Sequence, residues 1–70
     1  LNPDEIRAEI LRLEEERIRL APEAMAGNRE AVEEDRRLEG RIRELAGTER
    51  DARADELRAA WRRNHPGGEA

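Results

Sequence analysis

Few side chains in this chain belong to types that do chemistry. His65 is the single histidine and the one group that titrates near neutrality. Carboxylates cluster at Glu14-Glu15-Glu16 and Glu33-Glu34-Asp35, raw material for acid–base work if a cleft perturbs one of them. Arg58, Arg62 and Arg63 surround Trp61, the only aromatic ring of the Phe/Tyr/Trp set. That combination attracts phosphates by charge and offers a surface on which a base can stack.

Each candidate has a plainer reading. His65 lies beside Pro66-Gly67-Gly68 and has no His-x-x-x-His or Cys-x-x-Cys spacing to recruit it to a metal. Adjacent acids on a thin helical protein are surface charge, and no Glu-x-x-His pair builds a carboxylate metal site. Arg58 and Arg62 suit the negative end of a helix, while Trp61 fills apolar space. Nucleophilic catalysis has almost no material. Ser, Cys, Lys and Tyr are absent, and Thr48 is placed to cap a helix. The run Glu5-Ile6-Arg7-Ala8-Glu9-Ile10-Leu11-Arg12-Leu13 resembles the first helix of the helical chorismate mutases. The resemblance covers that helix alone, and there is no Lys or Gln to complete such a polar pocket. The chain therefore reads as no enzyme, with no cofactor, no metal and no small-molecule substrate.

The missing types define the class of the molecule. All 14 basic charges are arginine, against 18 acidic residues, for a net charge of −4. Mixed signs at regular spacing indicate solvated helix faces rather than disorder. The balance gives no reason for wholesale binding to nucleic acid or anionic membrane. No apolar run approaches the roughly 20 residues that span a bilayer, no signal-peptide pattern opens the chain, and the cytoplasm is the default compartment. With 70 residues, no cysteine and a thin set of Leu, Ile and Val, the core is small for a free-standing domain, so self-association or a protein partner is expected.

Helical elements must position whatever function there is. Asn2 caps, Pro3 suits the first helical position, and Asp4 and Glu5 favour the positive end. Ile6, Ile10, Leu13 and Leu20 form one stripe, interrupted by Arg17. Leu11, Ile18 and Met25 form a second, roughly 100–140° around the helix. Pro22 is expected to end or kink the helix near Leu20 or Ala21. Gly27 stops a helix and Asn28 starts the next, whose stripe is Ala31, Asp35, Leu38, Ile42 and Leu45. An antiparallel register pairing Leu20 with Ala31 and Val32, Leu13 with Leu38, Ile10 with Ile42 and Ile6 with Leu45 brings Arg17 opposite Asp35. A first helix unbroken to Ala26 would instead set Arg17 against Leu38 and Leu20 against Asp35, a costly arrangement for an unpaired charge. Gly47-Thr48 reads as a second break, with Thr48 as cap, because Leu57 and Trp61 otherwise fall about 100° off the stripe of Ala31, Asp35, Leu38, Ile42 and Leu45. Glu15–Arg19, Glu33–Arg37, Glu39–Arg43 and Glu49–Arg53 have the spacing of surface ion pairs.

The resulting expectation is an all-α protein, a small antiparallel three-helix bundle with helices over 3–21, 28–46 and 48–64. The third helix would lie level with Leu11 and Ile18. Residues 1–64 would form the single bundle domain and 65–70 a flexible C-terminal tail. The alternative is a helical hairpin with one long second helix, forming a coiled-coil or four-helix dimer. The function expected is a non-enzymatic interaction or oligomerisation module. Its seam is Leu11, Ile18, Met25, Leu57 and Trp61, its register pair Arg17 and Asp35, and its partner another copy or a helical protein. On this reading Trp61→Ala weakens assembly or folding by about 3–5 kcal/mol. The alternatives are a small nucleic-acid-associated or antitoxin-like regulator using Arg58, Arg62 and Arg63, and a designed helical scaffold without biological activity.

Overall fold

The computed structural model describes residues 2–65 and contains two α-helices, α1 (Pro3–Met25) and α2 (Arg29–Asn64). They form a rod measuring 60 × 16 × 15 Å. The start of α1 is chemically well defined. The Asn2 side chain accepts a hydrogen bond from the Glu5 amide at 2.8 Å, Pro3 opens the helix, and Asp4 and Glu5 stand in its first turn.

Helix α1 does not stop before Pro22, which lies inside its last turn. Proline removes one backbone donor, and the group that loses it is the Ile18 carbonyl four residues back. Pro22 and Ile18 are both exposed, so the loss falls at a solvated turn rather than in the core. The helix ends instead at a left-handed Gly27 (φ 90°). The Gly27 amide donates to the Ala24 carbonyl and the Asn28 amide to the Glu23 carbonyl, both at 3.1 Å. This is the Schellman pattern, which satisfies carbonyls that would otherwise be orphaned. Asn28 then caps α2, its side chain accepting from the Ala31 amide at 3.1 Å.

The three-helix expectation is wrong at the second break. Helix α2 runs unbroken through Gly47 and Thr48 to Asn64. Thr48 caps nothing; its hydroxyl donates back to the Glu44 carbonyl at 3.1 Å. A helical glycine costs only about 1 kcal/mol relative to alanine, less than nucleating a separate third helix. The periodicity conflict that suggested a turn is resolved by leaving Leu57 and Trp61 exposed, outside the core that α2 forms with α1. A β-carbon at Gly47 would meet only the Arg50 guanidinium at 3.8 Å, and one at Gly40 nothing within 4 Å. Gly47→Ala is therefore expected to raise folding stability by about 0.5–1 kcal/mol in a denaturant titration. Destabilisation would show that the chain turns there.

The core is one cluster of Ile6, Ile10, Leu13, Leu38 and Leu45, flanked by Leu20 and Ile42. Ala31 is buried towards the turn. At 1.5 Å per residue α1 is about 35 Å long and α2 about 54 Å. Arg53 lies 3.6 Å from Asp4 in the first turn of α1. Residues 54–64 therefore project past the start of α1. Within the tail expected over 65–70, residues 66–70 lie outside the described residues, as does Leu1. His65 stacks on Trp61 with ring centroids 4.0 Å apart, and its Nδ1 donates to the Trp61 carbonyl at 2.8 Å.

Candidate functional site

Two polar clamps bridge the helices. The first is built on Arg17, which replaces an apolar residue in the α1 stripe. Its Nε donates to Asp35 Oδ1 at 2.8 Å and its terminal nitrogen to Asp35 Oδ2 at 3.2 Å. The same nitrogen reaches Glu39 at 3.4 Å, and Glu39 holds Arg43 at 2.7 Å. Arg17 meets Asp35 even though α1 continues to Met25. The choice between a short α1 and a mispaired charge was therefore a false one. The guanidinium reaches across a helical turn and takes carboxylates from either side of the position opposite it.

The second clamp was not visible as such in the sequence. Glu49 is 5% exposed, the one buried charged residue among those described. Arg7 from α1 donates to its two oxygens at 2.7 and 3.2 Å. Arg53, one turn further along α2, donates at 3.0 and 3.2 Å and also meets Asp4. Glu49 is the next member of the 4-3-4-3 stripe after Leu45. The supposed break at Gly47-Thr48 hid that continuation and left Glu49–Arg53 looking like a surface pair. Glu33–Arg37 does not form, because Arg37 turns to Glu34 at 2.6 Å.

Burial alone would push the Glu49 carboxyl up, but the hydrogen bonds from Arg7 and Arg53 outweigh it and hold the group below the usual carboxylate range. The hydrogen bond from Arg17 lowers Asp35, and that from Arg12 lowers Glu9. These carboxyls are more acidic folded than unfolded. Their contribution to stability is complete above the unfolded value, near pH 4, and is lost as pH falls through the folded values. The melting temperature is expected to drop on acidification below about pH 4, and to drop less in Glu49→Gln. Identical profiles for the two proteins would contradict this role.

The apolar residues outside the core form two separate patches. Leu11, Ile18 and Met25 line one side of α1, with Ile18 71% and Met25 87% exposed. Ile18, Ala21 and Met25 line an open groove that also contains Glu14 and the Arg17–Asp35 pair. Leu57 and Trp61 lie on the overhang of α2, 72% and 46% exposed. They do not lie level with Leu11 and Ile18, as a third helix would have placed them. Around Leu57 run Arg53, Ala60 and Arg63. Of the other C-terminal arginines, Arg58 pairs with Asp55, and Arg62 is exposed.

Among the described residues no three His, Asp or Glu side chains converge to hold an ion, and no helix is long and apolar enough to cross a membrane. The grooves are open along the rod rather than enclosed. The described residues carry two exposed apolar patches, separated along the helical rod. No protein-family model, curated protein or solved structure matches this chain.

Proposed function

We propose that this protein is a non-enzymatic helical interaction module that works by burying Leu11, Ile18, Met25, Leu57 and Trp61 against another protein surface. The supporting observation is the overhang. Helix α2 continues past the end of its own core, carrying Leu57, 72% exposed, and Trp61, 46% exposed and touched by His65 among the described residues. Water does not favour such a segment. An isolated helix of this length is marginal, and exposed large apolar groups gain roughly 1.5–3 kcal/mol each when fully buried. The clamps at Arg17 and Glu49 serve this role by fixing the sliding register of α1 on α2, and with it the spacing of the two patches.

Light scattering over a wide concentration range tests the reading. A mass above that of the monomer, lost on Leu57→Glu, supports it. A protein that stays monomeric at every concentration and melts no lower after Leu57→Glu contradicts it.

A further inference from the structure

Resting on that reading, we infer that the partner is a second copy of this chain, laid antiparallel, so that the overhang of each copy fills the Ile18–Met25 groove of the other. Three independent features of the rod lead there.

The first is length. The overhang, residues 54–64, is about 17 Å long, and the stretch of α1 from Arg17 to Met25 is about 12 Å with the turn beyond it. Two 60 Å rods set antiparallel with their ends flush place residues 54–64 of one copy beside about residues 16–26 of the other. Leu57 then falls level with Ile18, and Trp61 between Ile18 and Met25. The second feature is charge. Residues 54–64 carry Arg58, Arg62 and Arg63 against Asp55 and Glu56, a net positive charge, with Arg58 paired to Asp55 and Glu56 lining the same groove as Arg63. The stretch of α1 beside the groove, residues 14–25, carries Glu14, Glu15, Glu16 and Glu23 against Arg17 and Arg19, a net negative charge, and Arg17 is already held by Asp35 and Glu39. Opposite signs thus border two apolar strips of similar span, and a like-with-like pairing of either patch would bring equal charges together.

The third feature is closure. Each copy carries one overhang and one groove at opposite ends of the rod. A two-fold axis through the middle satisfies both contacts at once and leaves neither patch free to recruit further copies. The product is a closed dimer, three helices thick over the paired ends and four along the middle, rather than a filament.

The native absence of cysteine makes the arrangement directly testable. Ala21→Cys places a thiol in the groove and Ala60→Cys one on the overhang. Within one chain these positions are about 40 Å apart along the rod, and in the flush dimer so are the two copies of either one. Differently tagged single-cysteine proteins, mixed and treated with a short bismaleimide, are expected to yield the 21–60 link in preference to 21–21 or 60–60. Arg58→Glu with Arg63→Glu is expected to weaken the dimer at low salt, and Glu14→Arg with Glu15→Arg in the partner copy to restore it. A dimeric mass with 21–21 or 60–60 links predominating would overturn this pairing while leaving the interaction module in place. A monomer at every concentration would overturn both.

Discussion

Truncating Ile6 to alanine is expected to leave most of the protein unfolded at room temperature. Ile6 is 0% exposed and is the one fully buried large side chain in a cluster of five buried ones. Ile→Ala in a packed core costs about 2–5 kcal/mol, the lost transfer energy plus the cavity left behind. A core in a chain of this size rarely supplies more than about 3–5 kcal/mol. One substitution therefore removes most of the margin. Arg36→Ala is the control, since it truncates a long side chain that is exposed on α2 and belongs to neither apolar patch. Far-UV circular dichroism during thermal melting reads both. A cooperative melt for Ile6→Ala within error of the parent would show that the cluster does not hold the hairpin together.

The second large effect concerns Trp61, and it separates assembly from folding. The sequence suggested that losing this ring would weaken either one. The structure places it on the overhang, 46% exposed and in contact with His65 rather than with α1. Trp61→Ala is therefore expected to leave the stability of the dissociated monomer nearly unchanged. Its effect falls on association, where a buried interfacial tryptophan typically carries at least about 2 kcal/mol, or about thirtyfold in dissociation constant. Sedimentation equilibrium of parent and variant, with dilute-limit melting of each, distinguishes the two. A large loss of monomer stability with unchanged association would place Trp61 in the intramolecular core instead.

The parts of the fold that were legible in the sequence are those decided by local chemistry. Asn2-Pro3 opens α1 and Gly27-Asn28 makes the turn because caps and a left-handed glycine depend on a few neighbouring atoms. The core stripes were readable because their spacing matches the helical repeat. The errors came where a local preference met a weak penalty. Pro22 ends many helices, yet its missing donor costs little at a solvated last turn. Gly47 and Thr48 resemble a stop and a cap, but one glycine does not outweigh the cooperativity of a long helix already propagating. The assumption that Leu57 and Trp61 must be covered within one chain then turned those two weak signals into a third helix. The same assumption concealed Glu49, whose burial follows only if α2 continues. Arg17 and Asp35 could be singled out as the polar interruptions of two apolar stripes, whereas the shared use of Glu39 depends on side-chain reach that spacing does not show.

A distance measured along α2 tests the uncovered overhang most directly. Spin labels at Arg29→Cys and Arg62→Cys, in protein diluted with unlabelled chain, are separated by a continuous helix of about 50 Å at 1.5 Å per residue. Pulsed electron resonance is expected to return a narrow distribution at that distance. A distance below about 20 Å, the span left if the chain turns back at Gly47 and packs on α1, would contradict the overhang and every function drawn from it.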